Sequence, residues 1–208
     1  MTTLGLIRHG VTDWNDEYRT QGHSDIPLNE KGRQQAELLS RRIGTEQWNY
    51  IYSSDLSRAL ETAEIIGKIN NIEVRTDPRL REMNCGLIEG TTEQERVNRW
   101  GYGWFRLDLG IESDDEIVKR GKECLADISD RHPDENILIV SHGAFLGMTL
   151  KKLIPHIDMT ESLMNTSITI LHTAQPRWDC SVYNCTAHLN VKSIEIVKGK
   201  MEQELWKP

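Results

Sequence analysis

The chain has 208 residues, 38% of them hydrophobic and 27% charged, with a formal net charge of −7. That length fits one domain with a full core, and the acidic balance argues against nucleic acid as a main partner. No apolar run reaches the roughly 18 residues that span a bilayer and no secretory pattern opens the chain, so no membrane partner and a cytoplasmic location are expected.

In chain order, Leu4, Leu6 and Ile7 predict a short strand buried on both faces, which delivers Arg8, His9 and Gly10 side by side. A polar loop follows from Asp16 to Asn29, and Asn29 is suited to cap a helix over Glu30 to Ile43. Tyr50 to Ser53 predicts a second strand, and the next helix carries Arg58 at its start and runs to about Gly67. Glu73 to Thr76 predicts a third strand, followed by a loop carrying Glu82 and Gly86. Residues 91–107 are helix-like and rich in aromatics, with Trp100, Tyr102, Trp104 and Phe105 interrupted by glycines. A long amphipathic helix is expected from about Ser113 to His132, with acidic residues in its first turn as the helix dipole favours. Ile137 to Val140 is the clearest strand, ending at Ser141-His142-Gly143, with a helix over Ala144 to Leu153 and a strand over Ser167 to Leu171. The remainder gives no clear element, although Trp178, Val182 and Tyr183 leave a homodimer open. Strands alternating with helices predict an α/β sandwich around a mainly parallel sheet.

Cys85, Cys124, Cys180 and Cys185 are too few and scattered for a disulfide framework. Cys180 and Cys185 could be drawn with His172 and His188 as a metal site, but the spacing fits no tight zinc pattern, and no metal is expected.

Two strands end alike, in Arg8-His9-Gly10 and Ser141-His142-Gly143. Open α/β sheets bind ligands beyond the carboxyl ends of their strands, so neighbouring strands would bring both imidazoles to one crevice. Arg58 and Glu82 follow other strands onto the same edge. Such a set suits phosphoryl transfer. Arg8 and Arg58 would hold a dianion, His9 would attack phosphorus, and His142 would donate to the phosphoryl oxygens. Glu82 would protonate the leaving oxygen and then deprotonate water. The plainer reading makes Glu82 an ion-pair partner of Arg79 or Arg81, and Arg58 a solvated helix residue.

Leu6 to Asn15, followed by Gln21-Gly22 and Pro27 to Gly32, resembles the histidine phosphatase family, in the branch that includes cofactor-dependent phosphoglycerate mutase. Tyr52 to Ala63, Arg81-Glu82 with Gly86 and Glu89-Gly90, and Val140 to Gly143 are similar to its later blocks, in the family's order. The resemblance implies a three-layer α/β sandwich with helices on both faces and a small cap insertion at about residues 91–112. It implies His9 as the phosphorylated nucleophile, Arg8, Arg58 and His142 as the phosphate pocket, and Glu82 as proton donor and acceptor. Asn15, Gln21 and Gly22 are implied beside the phosphate and substrate, with no metal or organic cofactor. The family's mutases carry Glu-Arg-His-Tyr-Gly where this chain has Glu82-Met83-Asn84-Cys85-Gly86, and their cap region is longer. Both departures favour hydrolysis of a small phosphorylated substrate over a mutase, or over a silent phosphate-binding relative. Trp100, Tyr102, Trp104 and Phe105 either line an apolar leaving-group pocket or pack the cap onto the core, and Arg96, Arg99 and Arg106 either read further negative charge or are solvated helix charges.

Overall fold

The computed structural model describes residues 1–174 and 177–190. Six strands form one sheet: β1 (Thr3–Arg8), β2 (Tyr50–Ser53), β3 (Val74–Thr76), β4 (Asn136–Ser141), β5 (Ile168–Ala174) and β6 (Arg177–Cys185). Their order is β3-β2-β4-β1-β5-β6. The first four run parallel, whereas β5 runs antiparallel to β1 and pairs with β6 as a hairpin. The helices are α1 (Asp13–Asp16), α2 (Glu30–Ile43), α3 (Ser57–Asn70), α4 (Glu93–Trp100), α5 (Asp114–Arg131) and α6 (Gly143–Leu153).

Alternation along the strands builds two cores. Leu4, Leu6, Ile137 and Ile139 face one way and pack against Leu125 and Ile128 of α5 and Phe145 and Leu150 of α6. Ile7, Leu138 and Val140 face the other way, against Leu39 and Ile43 of α2 and Ala63 and Ile66 of α3. The result is an α/β sandwich with a helical layer on each face of a mostly parallel sheet.

The expected elements are present, and two go beyond the sequence reading. Asp13–Asp16 is a short helix, because Thr12 and Asn15 complete a reciprocal cap at its start. The segment without a clear element contains β6, where Trp178 and Tyr183 pack part-buried on the first core.

Candidate active site

β1 and β4 pair in register, Arg8 opposite Ser141, so the next residues, His9 and His142, leave the sheet together. The His9 N–H donates to the Ser141 carbonyl at 2.9 Å. The two ring centroids stand 5.2 Å apart with planes tilted by 60°. His9 Nδ1 lies 2.7 Å from the Gly10 carbonyl. A carbonyl can only accept, so Nδ1 carries the proton and the Nε2 lone pair is left free. Burial, then the nearby Arg58 and Arg8, hold the His9 imidazole well below its usual pKa. Burial, then Arg58 and His9, do the same to His142. Both shifts favour the neutral imidazole.

The cations come from two elements. Arg8, at the end of β1, donates from Nη1 to the Leu163 carbonyl at 2.6 Å. Arg58, in the first turn of α3, is fully buried and donates to the carbonyls of Ser24 at 2.9 Å and Gly22 at 2.7 Å. Burial lowers its pKa to about 10, against the opposing pull of Glu82, Asp25 and Glu89. It is no solvated helix residue.

Buried polar atoms ordinarily find partners. Among the described residues seven buried side-chain atoms lack one, and five belong to the predicted site: Arg8 Nε, Gln21 Oε1, Arg58 Nε and both ring nitrogens of His142. Arg8 Nε and Arg58 Nε are donors, and a neutral His142 offers one N–H more, an arrangement chemically suited to an anion.

Glu82 does not take the plainer reading. Arg79 pairs with Asp77 and Asp127, and Arg81 pairs with Asp55. The Glu82 carboxylate instead accepts from the backbone N–H groups of Met83 at 2.9 Å, Ala144 at 3.1 Å and Phe145 at 2.8 Å. It thus caps the start of α6 beside Arg8, with which it lines a common cavity.

The outer candidates divide. Gln21 is buried with Oε1 bare. Gly22 has φ +53°, and a Cβ there would lie 2.1 Å from Glu89 Oε1, so glycine is required to present its carbonyl to Arg58. Asn15 Oδ1 is used locally, accepting from Thr12 N and Oγ1 at 3.1 and 3.2 Å. Its link to the centre is through Asn165 Nδ2, 3.4 Å away, which also donates to the His9 carbonyl at 2.9 Å.

Several supporting residues escaped the sequence reading. Thr62 Oγ1 accepts from the Gly10 N–H. Thr166, with φ +55°, donates its N–H to the carbonyls of Arg8 and His9. Glu89 accepts from the N–H groups of His23, Ser24 and Cys85 and from the Ser24 hydroxyl. The signal for Thr166 was its place just before β5: antiparallel pairing sets the start of β5 against the end of β1.

In the aromatic insertion the tryptophans follow the packing alternative. Trp100 and Trp104 pack on Cys85, Ile88 and Leu109, while Tyr102 and Phe105 are exposed. Arg96 is tied to Thr20, Thr91 and Glu93, and Arg99 and Arg106 lie over Trp100 and Phe105. None of these residues lines the cavity that opens on Arg8 and Glu82. Trp100 and Trp104 serve a satellite core instead. His172, Cys180, Cys185 and His188 do not gather either, and among the described residues no group of three His, Cys, Asp or Glu side chains could hold a metal ion. No described helix is long and apolar enough to cross a membrane.

The sequence profile of the histidine phosphatase superfamily, branch 1, matches residues 4–186. The chain belongs to that superfamily. Phosphoglycerate mutase-like protein 4 of Arabidopsis thaliana is 37% identical over 88% of this chain and 85% of its own. The uncharacterized phosphatase PhoE of Bacillus subtilis is 32% identical over 91% and 98%. Among solved structures, Bacillus stearothermophilus YhfR superposes with a TM-score of 0.83 at 34% identity, over 91% of this chain and 100% of its own. A mycobacterial glucosyl-3-phosphoglycerate phosphatase does so at 0.79 and 28% identity, over 88% and 99%. These relatives support a phosphatase- or mutase-type enzyme.

Proposed function

We propose that this histidine phosphatase superfamily member is a metal-independent phosphomonoester hydrolase that works through a phosphohistidine on His9. The observation that carries the reading is the cluster of unpartnered buried nitrogens of Arg8, Arg58 and His142 around a neutral His9. A dianionic phosphoryl group supplies the missing acceptors. His9 Nε2 attacks phosphorus in line, and the bond from phosphorus to the ester oxygen breaks. Glu82 passes a proton to that departing oxygen, so the alcohol leaves neutral. The same carboxylate then takes a proton from water, the resulting oxygen attacks the phosphohistidine, and phosphate and free His9 are returned. Arg8, Arg58 and His142 hold the equatorial oxygens, where transition-state charge is spread. Gln21 adds a polar wall; Gly22 and Asn15 act through Arg58 and Asn165.

Hydrolysis is favoured over the mutase reading by the Glu82-Met83-Asn84-Cys85-Gly86 run, which lacks the mutases' basic residue. The phosphatases among the relatives point the same way. The test is phosphate release from p-nitrophenyl phosphate with excess chelator, comparing the native chain with His9→Ala and Glu82→Gln. Turnover should survive the chelator, vanish in His9→Ala, and fall by about 10²–10⁴ in Glu82→Gln with phosphate affinity retained. Full activity in His9→Ala would exclude the phosphohistidine.

A further inference from the structure

A group that protonates the departing oxygen marks the side on which the leaving group lies. On the Glu82 side a cavity of about 420 Å³ runs beside α6, with Glu82, Arg8, Gly147, Lys151, Met159 and Tyr183 in its walls. At its inner end the buried Nε–H of Arg8 has no partner. At about 30 Å³ per water the space equals roughly 14 waters, far more than a three-carbon leaving group displaces.

Gly147 is the telling residue in its floor. Glycine is the poorest helix former after proline, so an interior helical glycine calls for a reason. Gly121 of α5 has one, because a Cβ there would meet Thr149 Oγ1 at 2.1 Å. Gly147 has none from packing: its Cβ would meet nothing within 4 Å. Gly143, Gly147 and Lys151 are spaced by four on one helix face, so Lys151 stands about 12 Å along the axis from the start of α6. Lys151 makes no ion pair among the described residues. Met148, Met159 and Leu163 supply apolar wall, and Glu161 offers an acceptor for hydroxyls.

We infer, resting on the hydrolase reading, that the groove beside α6 is the leaving-group site. It takes phosphomonoesters larger than three-carbon ones, with a second anionic group at the far end meeting the Lys151 ammonium. Gly147 keeps the floor open.

The test uses phenyl phosphate and 4-carboxyphenyl phosphate with the native chain, Gly147→Leu, Lys151→Gln and Lys151→Arg. Comparing each variant with the native chain on both esters cancels their intrinsic reactivity. Lys151→Gln should lower kcat/KM for the carboxylated ester relative to phenyl phosphate by about fivefold, the scale of an exposed ion pair, and Lys151→Arg should restore it. Gly147→Leu should raise KM for both esters at least about tenfold, leave inhibition by inorganic phosphate unchanged, and raise Tm through better helix propensity. An unchanged KM in Gly147→Leu would overturn the groove, and an unchanged ratio in Lys151→Gln would overturn the anionic end. Failure of the native chain to turn over either ester would instead overturn the hydrolase reading on which both rest.

Discussion

The terminal nitrogens of Arg58 rest on two carbonyls, those of Gly22 and Ser24, and Glu89 decides where those carbonyls stand. Burial pushes the Glu89 carboxyl up, but hydrogen bonds from Ser24, His23 and Cys85 outweigh it and hold it below the usual carboxylate range. Oε1 accepts from His23 N and Cys85 N, and Oε2 from Ser24 N and Oγ, so every bond needs an acceptor. Glu89→Gln would turn an amide NH₂ toward one of those donor pairs and loosen the loop that carries Arg58. Phosphate affinity should fall about tenfold, about 1.4 kcal/mol, read as the inhibition constant of inorganic phosphate. Unchanged inhibition would mean that Arg58 holds its place without the loop. The residues at strand ends were legible in the sequence because each follows its own apolar run. Glu89 as a buttress was not: its partners His23 and Ser24 lie 66 and 65 residues away along the chain, and nothing local separates it from a solvated glutamate.

At the scale of elements, the nucleophile's position depends on how closely α2 approaches the end of β1. A Cβ on Gly32 would lie 2.1 Å from the Val11 carbonyl, and one on Gly10 would lie 2.6 Å from the Gly32 carbonyl. Both obstacles are backbone, which cannot swing aside as a side chain can. Gly32→Ala is therefore expected to push α2 off the turn after His9, costing about 2 kcal/mol or more in denaturant unfolding, with a fall in kcat. Equal stability and activity would show that α2 can shift freely. The parallel strands were readable because apolar runs alternate with amphipathic helices, and that alternation also fixes which edge collects their ends. The hairpin of β5 and β6 was less readable. β6 mixes Asp179, Ser181 and Asn184 with Trp178 and Val182 and so lacks a continuous apolar run, and its partner strand is preceded by the strained Thr166. The same hairpin brings Asn165 and Thr166 under His9, which is why that support was missed.

For the whole molecule, the buried imidazoles set how folding responds to acid. His9 and His142 lie well below their usual pKa, from burial first and then from the arginines, and burial lowers His188 to about 4. In the unfolded chain all three take up protons from about pH 6.5 downward. The unfolded state then binds more protons than the folded one, so stability falls as pH drops below about 6.5 and continues to fall toward the depressed values. Asp55, held below its usual range by Arg81, and Glu89 contribute stability that is lost only further down, as pH falls through the carboxylate range. Acid unfolding should thus begin well before Asp55 and Glu89 protonate. A tetrahedral dianion such as tungstate, which stays unprotonated near pH 6, would raise the pKa of His142 and His9 while leaving His188 unaffected. Tm measured from pH 8 to 5 should therefore decline from about pH 6.5 in the free protein, and saturating tungstate should flatten part of that decline. Calorimetry at pH 6 in two buffers of different ionisation enthalpy should show net proton uptake on tungstate binding. A binding enthalpy that does not change with the buffer would mean that neither ring is held neutral by burial and the arginines, removing the electrostatic basis for a ready nucleophile at His9.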